Sequence, residues 1–437
     1  MDIKVVKFGG SSVADAIQLA KVKAIVEADP SRRYVVVSAP GKRFDADNKI
    51  TDLLYLCKAQ IDSNVGCEQV FEVISDRYRA IELNLGVHCD MEGELKAIYE
   101  KLMNGASRDY MASRGEYLNA KLAAAYLGYD YVEAAGNVCF DNKGRFLEEE
   151  TNARLSAELK KHDRAVIPGF YGSMPNGEIK TFSRGGSDIT GSLVARAVQA
   201  TMYENWTDVS GFLMADPRVI KGPKPIEQIT YAELRELSYM GASVLHEDAI
   251  FPVRVSNIPI NIRNTNEPKN PGTVIVADLD GKSEDIITGI AGRKDFVIIG
   301  IVKNMMKSDP AFLRRILSVF EAYNVPVEHM PSGIDTVSVV VAKSKVEDSL
   351  QDIVEEINRK YQPDSIIVHE DIAIIATVGR AMSSRPGTSA KLFKAFADAG
   401  VNIRMIDQGS SEMNIIVGVD NSDYATAIKA IYDEFVQ

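Results

Sequence analysis

The sequence predicts an α/β protein: a three-layer αβα domain on a mainly parallel sheet, followed by two small ferredoxin-like βαββαβ domains. Three observations carry this. Short apolar runs alternate with helix-period segments from residue 3 to about 276, the pattern of a parallel sheet covered on both faces. The stretch Asp278 to Asp285 is polar and acidic and reads as a linker. Beyond it the chain repeats at an offset of 76 residues, pairing Ile316 with Leu392, Phe320 with Phe396, Val325 with Val401, Val327 with Ile403 and Val339 with Ile415. The expected domains are 1–280, 290–370 and 371–437.

Along the chain, Ile3–Phe8 is a buried strand, broken by Gly9 and Gly10; Ser11 and Ser12 come next, then a helix from about Asp15 to Ala28. Strand, glycine turn and helix suit a phosphate, although no GxxxxGK[ST] is present. Lys7 lies on the strand itself. Its head either snorkels to water or meets a ligand anion, and the adjacent glycines favour the ligand. Tyr34–Ser38 is a second strand, followed by the turn APGK and a polar, mobile loop, Asp45 to Lys49. Thr51 should cap the next helix. Helices dominate from Glu68 to Tyr99, and Tyr110–Leu127 is another. Glu116 lies among its apolar residues as either a solvated carboxylate or a binding group.

Asp130–Ala134 and Ala165–Phe170 read as strands, and a hairpin at MPNGE leads to Ile179–Phe182. FSRGGSDITGSLVARAV, Phe182 to Val198, is the most informative stretch. Arg184, Gly185, Gly186, Ser187 and Asp188 precede helix-spaced apolar residues. Glycines admit a close ligand, a helix N-terminus attracts an anion, and Arg184 and Asp188 offer both charges. Such a turn could hold an amino acid, or be a glycine loop with a surface ion pair. Tyr203–Trp206 is a further strand, and Thr207, Asp208, Asp216 and Arg218 lie in the polar segment after it, where open α/β sheets bind ligands. Tyr231–Met240 is a helix, and Pro252, Pro259, Pro268 and Pro271 break up the chain from there to Thr273.

Composition sets outer limits. Apolar content of 46% and charged content of 25% are those of a soluble globular protein. A net charge of −11 argues against a nucleic-acid partner while allowing a local basic pocket. No run of 18 apolar residues predicts a membrane span, and the start is too short an apolar run for a signal peptide. Cys57, Cys67, Cys89 and Cys139 have no metal-ligand spacing and fit reduced thiols in the cytoplasm. His88, His162, His246, His329 and His369 are scattered, so no His-ligated metal site is expected.

Six motifs in order carry a resemblance: KFGGSS (Lys7–Ser12), SRGE (Ser113–Glu116), FSRGGSD (Phe182–Asp188), WTDVSG (Trp206–Gly211), DPR (Asp216–Arg218) and GASVLH (Gly241–His246). Over nearly the whole chain the sequence resembles the aspartate kinases of the amino-acid kinase superfamily, with two C-terminal ACT domains. The resemblance implies transfer of phosphate from ATP, with Mg²⁺, to the side-chain carboxylate of L-aspartate. It implies that Lys7 and Asp188 are catalytic. It places Lys7, Phe8, Gly9, Gly10, Ser11, Thr207, Asp208, Leu213, Arg218, Ser243 and Val244 at the nucleotide. It places Thr51, Glu116, Arg184, Gly185, Gly186 and Ser187 at aspartate, with Arg184 on the α-carboxylate and Glu116 on the ammonium. Leu213 and Ser243 depart from the tyrosine and lysine of several relatives. The ACT pair implies a regulatory amino acid, lysine or threonine, bound around Asn304–Leu313 and His329–Thr336, and a homodimer or higher homo-oligomer formed through strand edges. Rival readings are a superfamily kinase with another acceptor and a non-catalytic amino-acid sensor.

Overall fold

The computed structural model describes residues 2–183, 185–241, 251–279 and 285–436, apart from the side chain of Lys307. The chain forms two units. One comprises Met1–Phe212, Pro225–Tyr231 and Val244–Leu279, the other Leu213–Lys224, Ala232–Ser243 and Asp280–Gln437.

The first unit is built on an eight-stranded sheet. Its strands run Gln228–Thr230, Thr273–Val276, Ile260–Asn264, Met202–Thr207, Lys4–Phe8, Arg32–Val37, Ala165–Pro168 and Asp130–Tyr131 across the sheet. Every pairing is parallel except Ile260–Asn264 with Thr273–Val276. Lys4–Phe8 is central because both faces of it are apolar enough to bury. Val6 and Phe8 join a large core with helices Ala16–Glu27, Ile50–Asp62, Glu68–Leu85, Met91–Met103 and Arg108–Leu127.

Local chemistry sets the ends of these helices. The Asp15 carboxylate accepts from the Gln18 N–H at 2.9 Å, capping Ala16–Glu27. Ser107 accepts from the Tyr110 N–H, and Gly128, at φ 68°, closes the other end of Arg108–Leu127. Thr51 is not the cap expected of it. Lys49 occupies that position, and Thr51 lies inside the first turn of Ile50–Asp62.

Strand Met202–Thr207 shows how period two divides labour between the faces of a sheet. Glu204 and Trp206 point to one side. There Arg32 donates to Glu204 from Nε at 2.9 Å and Nη2 at 3.3 Å, and Trp206 Nε1 donates to the same carboxylate at 2.9 Å. The Trp206 ring stacks on Phe8 and lies beneath the Arg32 and Arg263 guanidiniums. Glu204 and Arg32 are both buried, so removing Glu204 leaves Arg32 as an uncompensated buried charge, whereas Glu204 also has Lys4 Nζ at 3.7 Å. Glu204→Ala should cost about 3–5 kcal/mol of stability, read as a fall in the denaturant midpoint at unchanged slope; a loss below about 1 kcal/mol would contradict this account of the pair.

The second unit contains an antiparallel five-stranded sheet in the order Thr336–Ala342, Gly289–Val302, Ser365–Val378, Asn414–Asp420, Met405–Asp407. The two sequence repeats therefore share one sheet. Its long strands serve both: Phe296–Val302 pairs within the first repeat, while Gly289–Arg293 pairs with Ile374–Val378 beside the second. The segment preceding the first repeat thus supplies a strand beside the second. Helices Phe312–Ala322 and Leu350–Tyr361 cover the first repeat with Ile316, Val319, Phe320, Ile353 and Ile357.

Candidate active site

Strand Lys4–Phe8 has Arg32–Val37 on one side and Met202–Thr207 on the other. The chain leaves it in one direction and returns later in the other, and that arrangement opens a crevice at the carboxyl ends of the strands. Lys7 lies at this end, and the Gly10–Val13 turn comes directly after it. Gly9 N–H donates to the Trp206 carbonyl at 3.0 Å, holding the turn against the neighbouring strand.

Lys7 does not snorkel. Its side chain is 8% exposed, and Nζ lies 2.6 Å from Asp188 Oδ1. Asp188 stands in the first turn of helix Gly186–Ala197, whose start is shaped by glycines. Gly185 has φ 58°, and a Cβ on Gly186 would lie 2.6 Å from the Phe170 ring. Ser187 packs equally closely on Gly169. Two residues that sequence reasoning missed hold Asp188 in place. Asn205 Nδ2 donates to Oδ1 at 2.9 Å, and the Tyr203 hydroxyl donates to the Asp188 carbonyl at 3.1 Å. Alternation along YENWT offered the signal, since Asn205 is directly opposite Lys7 in the parallel register.

Glu116 is buried, not solvated. Its helix approaches the loop after Arg32–Val37 through Gly115, where a Cβ would lie 2.6 Å from the Ala39 Cβ. Burial pushes the Glu116 carboxyl up to about 8, and the Ala39 N–H, its own N–H, Lys7 and Arg114 offset only part of that. Oε2 is buried without a hydrogen-bond partner. A buried acceptor left open is costly, and a cationic donor from a ligand would satisfy it.

A cavity of about 600 Å³ opens at this point, bordered by Gly10, Ser11, Thr51, Glu116 and Asp208. Its other wall is the segment after the second strand, including Lys42, Arg43, Phe44, Asp45 and Lys49. That segment was expected as a polar loop; it is tied down by Asp47, a buried carboxylate paired with Arg77 and Arg43.

The remaining predicted residues divide clearly. Thr207 Oγ1 donates to Asp208 Oδ1 at 3.2 Å beside the cavity. The Phe8 ring is stacked on Trp206, so only its backbone borders the turn. Leu213 and Arg218 belong to the second unit, where Arg218 is 88% exposed and pairs with Asp216 at 2.6 Å. Arg184, Ser243 and Val244 lie outside the described residues. Among the described residues, no group of three or more His, Cys, Asp or Glu could hold a metal ion.

Comparison with known proteins identifies the family. Residues 2–264 match the Amino acid kinase family, and residues 375–435 match an ACT domain. Aspartokinase 3 of Bacillus subtilis is 39% identical over 99% of this chain and 98% of its own. The crystal structure of Clostridium acetobutylicum aspartate kinase superposes over the whole of both chains with a TM-score of 0.95 at 50% identity. E. coli aspartokinase III, solved in complex with lysine and aspartate, shares the fold at 24% identity over the whole of both chains, with a TM-score of 0.78. The chain belongs to the amino acid kinase family, and within it to the aspartokinases that carry C-terminal ACT domains. It is an enzyme, a kinase.

Proposed function

We propose that the chain phosphorylates the side-chain carboxylate of L-aspartate with ATP, giving 4-phospho-L-aspartate and ADP, as the first step towards lysine, threonine and methionine. The observation that carries this reading is the open carboxylate oxygen of Glu116 in the same cavity as the Gly10–Ser11 turn. An ammonium satisfies Glu116, and a phosphate suits the turn. The nucleophile is already ionised, since an aspartate side chain has a pKa of about 3.9, so no general base is required. The barrier is repulsion between two anions, and the enzyme's work is positioning and charge neutralisation.

In this reading Lys7 meets the transferring phosphate, with Asp188 and Asn205 fixing its position. Gly9, Gly10 and Ser11 line the phosphate loop, with Phe8 contributing backbone, and Thr207, Asp208, Leu213, Arg218, Ser243 and Val244 serve the nucleotide. Thr51, Glu116, Arg184, Gly185, Gly186 and Ser187 serve aspartate. Mg²⁺ would arrive with the triphosphate, its ligands being phosphate oxygens and water, and would add neutralising charge there.

Regulation falls to the second unit. The Asp335 carboxylate accepts from the Met305 N–H at 2.9 Å, and the Lys303 N–H donates to the Asp335 carbonyl at 2.8 Å. The two segments assigned to an effector, Asn304–Leu313 and His329–Thr336, are therefore adjacent. We assign lysine or threonine to them, and homodimer formation to the ACT repeats, within domains 1–280, 290–370 and 371–437. No described helix is long and apolar enough to cross a membrane, and four free cysteines favour the reducing cytoplasm.

Initial rates of ADP release with ATP and Mg²⁺ test the reading, using L-aspartate, glutamate, N-acetylglutamate and carbamate as acceptors and adding lysine or threonine separately. Turnover specific to aspartate is expected. Preference for another acceptor would reject the substrate, and absence of any turnover would favour a sensor.

A further inference from the structure

We infer that Arg43 is a further anion-binding residue of the cavity, able to exchange its Asp47 partner for a reactant's phosphate or carboxylate. This rests on the reading of the cavity as the reactant site.

Charge is out of balance around Asp47, whose single carboxylate carries two guanidiniums. Arg77 Nη2 lies 2.9 Å from Oδ1 and 2.8 Å from Oδ2, and Arg43 donates from Nε at 2.8 Å and Nη2 at 3.1 Å. One cation neutralises one carboxylate, so one of the two is surplus. The two arginines are not equivalent. The Arg77 side chain is 3% exposed and also donates to the Gly41 carbonyl at 3.2 Å. Pulling it away would strand a buried charge. The Arg43 side chain is 41% exposed and lines the cavity. If it swings away, Asp47 keeps Arg77.

The backbone is arranged so that this swing need not move the loop. The Arg43 N–H itself donates to Asp47 Oδ2 at 3.0 Å, and this bond survives when the side chain leaves. The base of the loop is pinned to the glycine turn, with the Gly41 N–H on the Gly10 carbonyl at 2.8 Å. A Cβ on Gly41 would lie 2.6 Å from the Gly10 carbonyl carbon, so these two backbones are in contact. A half-exposed guanidinium on a hydrogen-bonded backbone therefore stands beside the glycine turn. The planar fork suits phosphate and carboxylate alike, and the protein holds both partners of the exchange: Asp47 before binding, the reactant after it.

Equilibrium binding of ADP and of L-aspartate, measured separately on full-length wild type, Arg43→Gln and Arg43→Lys, tests this. Arg43→Gln should weaken one ligand by roughly tenfold to a hundredfold, the range of a lost charged hydrogen bond. The thermal midpoint should hold, and Arg43→Lys should restore part of the affinity. Loss confined to ADP places the guanidinium on phosphate, and loss confined to aspartate places it on carboxylate. Binding of both ligands by Arg43→Gln within twofold of wild type would overturn the inference. Wild-type protein binding neither ligand would overturn the reading of the cavity itself, and the inference with it.

Discussion

Lys7→Ala lowers kcat by about a hundredfold to a thousandfold, with the KM for aspartate changed far less. The size follows from where the ammonium sits. It is buried beside the glycine turn and held at 2.6 Å from Asp188, so its charge is screened little by water and needs no reorganisation when phosphate charge shifts. The proposed aspartate contacts, Thr51, Glu116 and the helix start, lie elsewhere, so ground-state binding of aspartate should survive. Folding should survive as well, because Asp188 keeps its bond from Asn205. Coupled ADP detection on a variant with a near-normal thermal midpoint separates these quantities. A kcat within a few-fold of wild type would remove Lys7 from the chemistry.

The affinity for aspartate should rise roughly tenfold per pH unit from about pH 6 towards 8 and then flatten. Burial holds the Glu116 carboxyl at about 8, against an ordinary value of 4.5. At neutral pH it is mostly protonated, and an ammonium ligand must drive its proton off. Calorimetry in buffers of different ionisation enthalpy should detect that proton, and a pH-independent affinity would show that Glu116 does not take the ammonium. The same group acts on folding in the opposite sense. A carboxyl whose folded pKa is raised contributes its full stability below about 4.5, and that contribution is lost as pH rises through about 8. Glu116→Gln should therefore melt higher than wild type near pH 9 without ligand, while binding aspartate roughly tenfold to a hundredfold more weakly.

Much of this was legible in the sequence because it is written in local pattern. A short apolar run gives the strand that ends at Phe8, glycines give the turn after it, and the offset between Ile316 and Leu392 gives the repeat. What escaped is long-range. Asn205 supports Asp188 across 17 residues, and Arg77 reaches Asp47 across 30; no spacing rule joins such pairs before the helices pack. The shared sheet of the second unit escaped for the same reason, since pairing of Gly289–Arg293 with Ile374–Val378 depends on two strands long enough to serve both repeats. Glu116 was ambiguous because a carboxylate in an apolar helix reads the same whether that face meets water or, as here, the closely packed loop at Ala39.

At the centre of the proposal stands one cavity, where two negatively charged reactants would be brought together against fixed positive charge. A crystal structure with L-aspartate and a non-hydrolysable ATP analogue tests it most directly. The aspartate ammonium is expected on Glu116 Oε2, and the terminal phosphate within hydrogen-bond reach of Lys7 Nζ. An aspartate away from Glu116, or a terminal phosphate remote from Lys7, would contradict this.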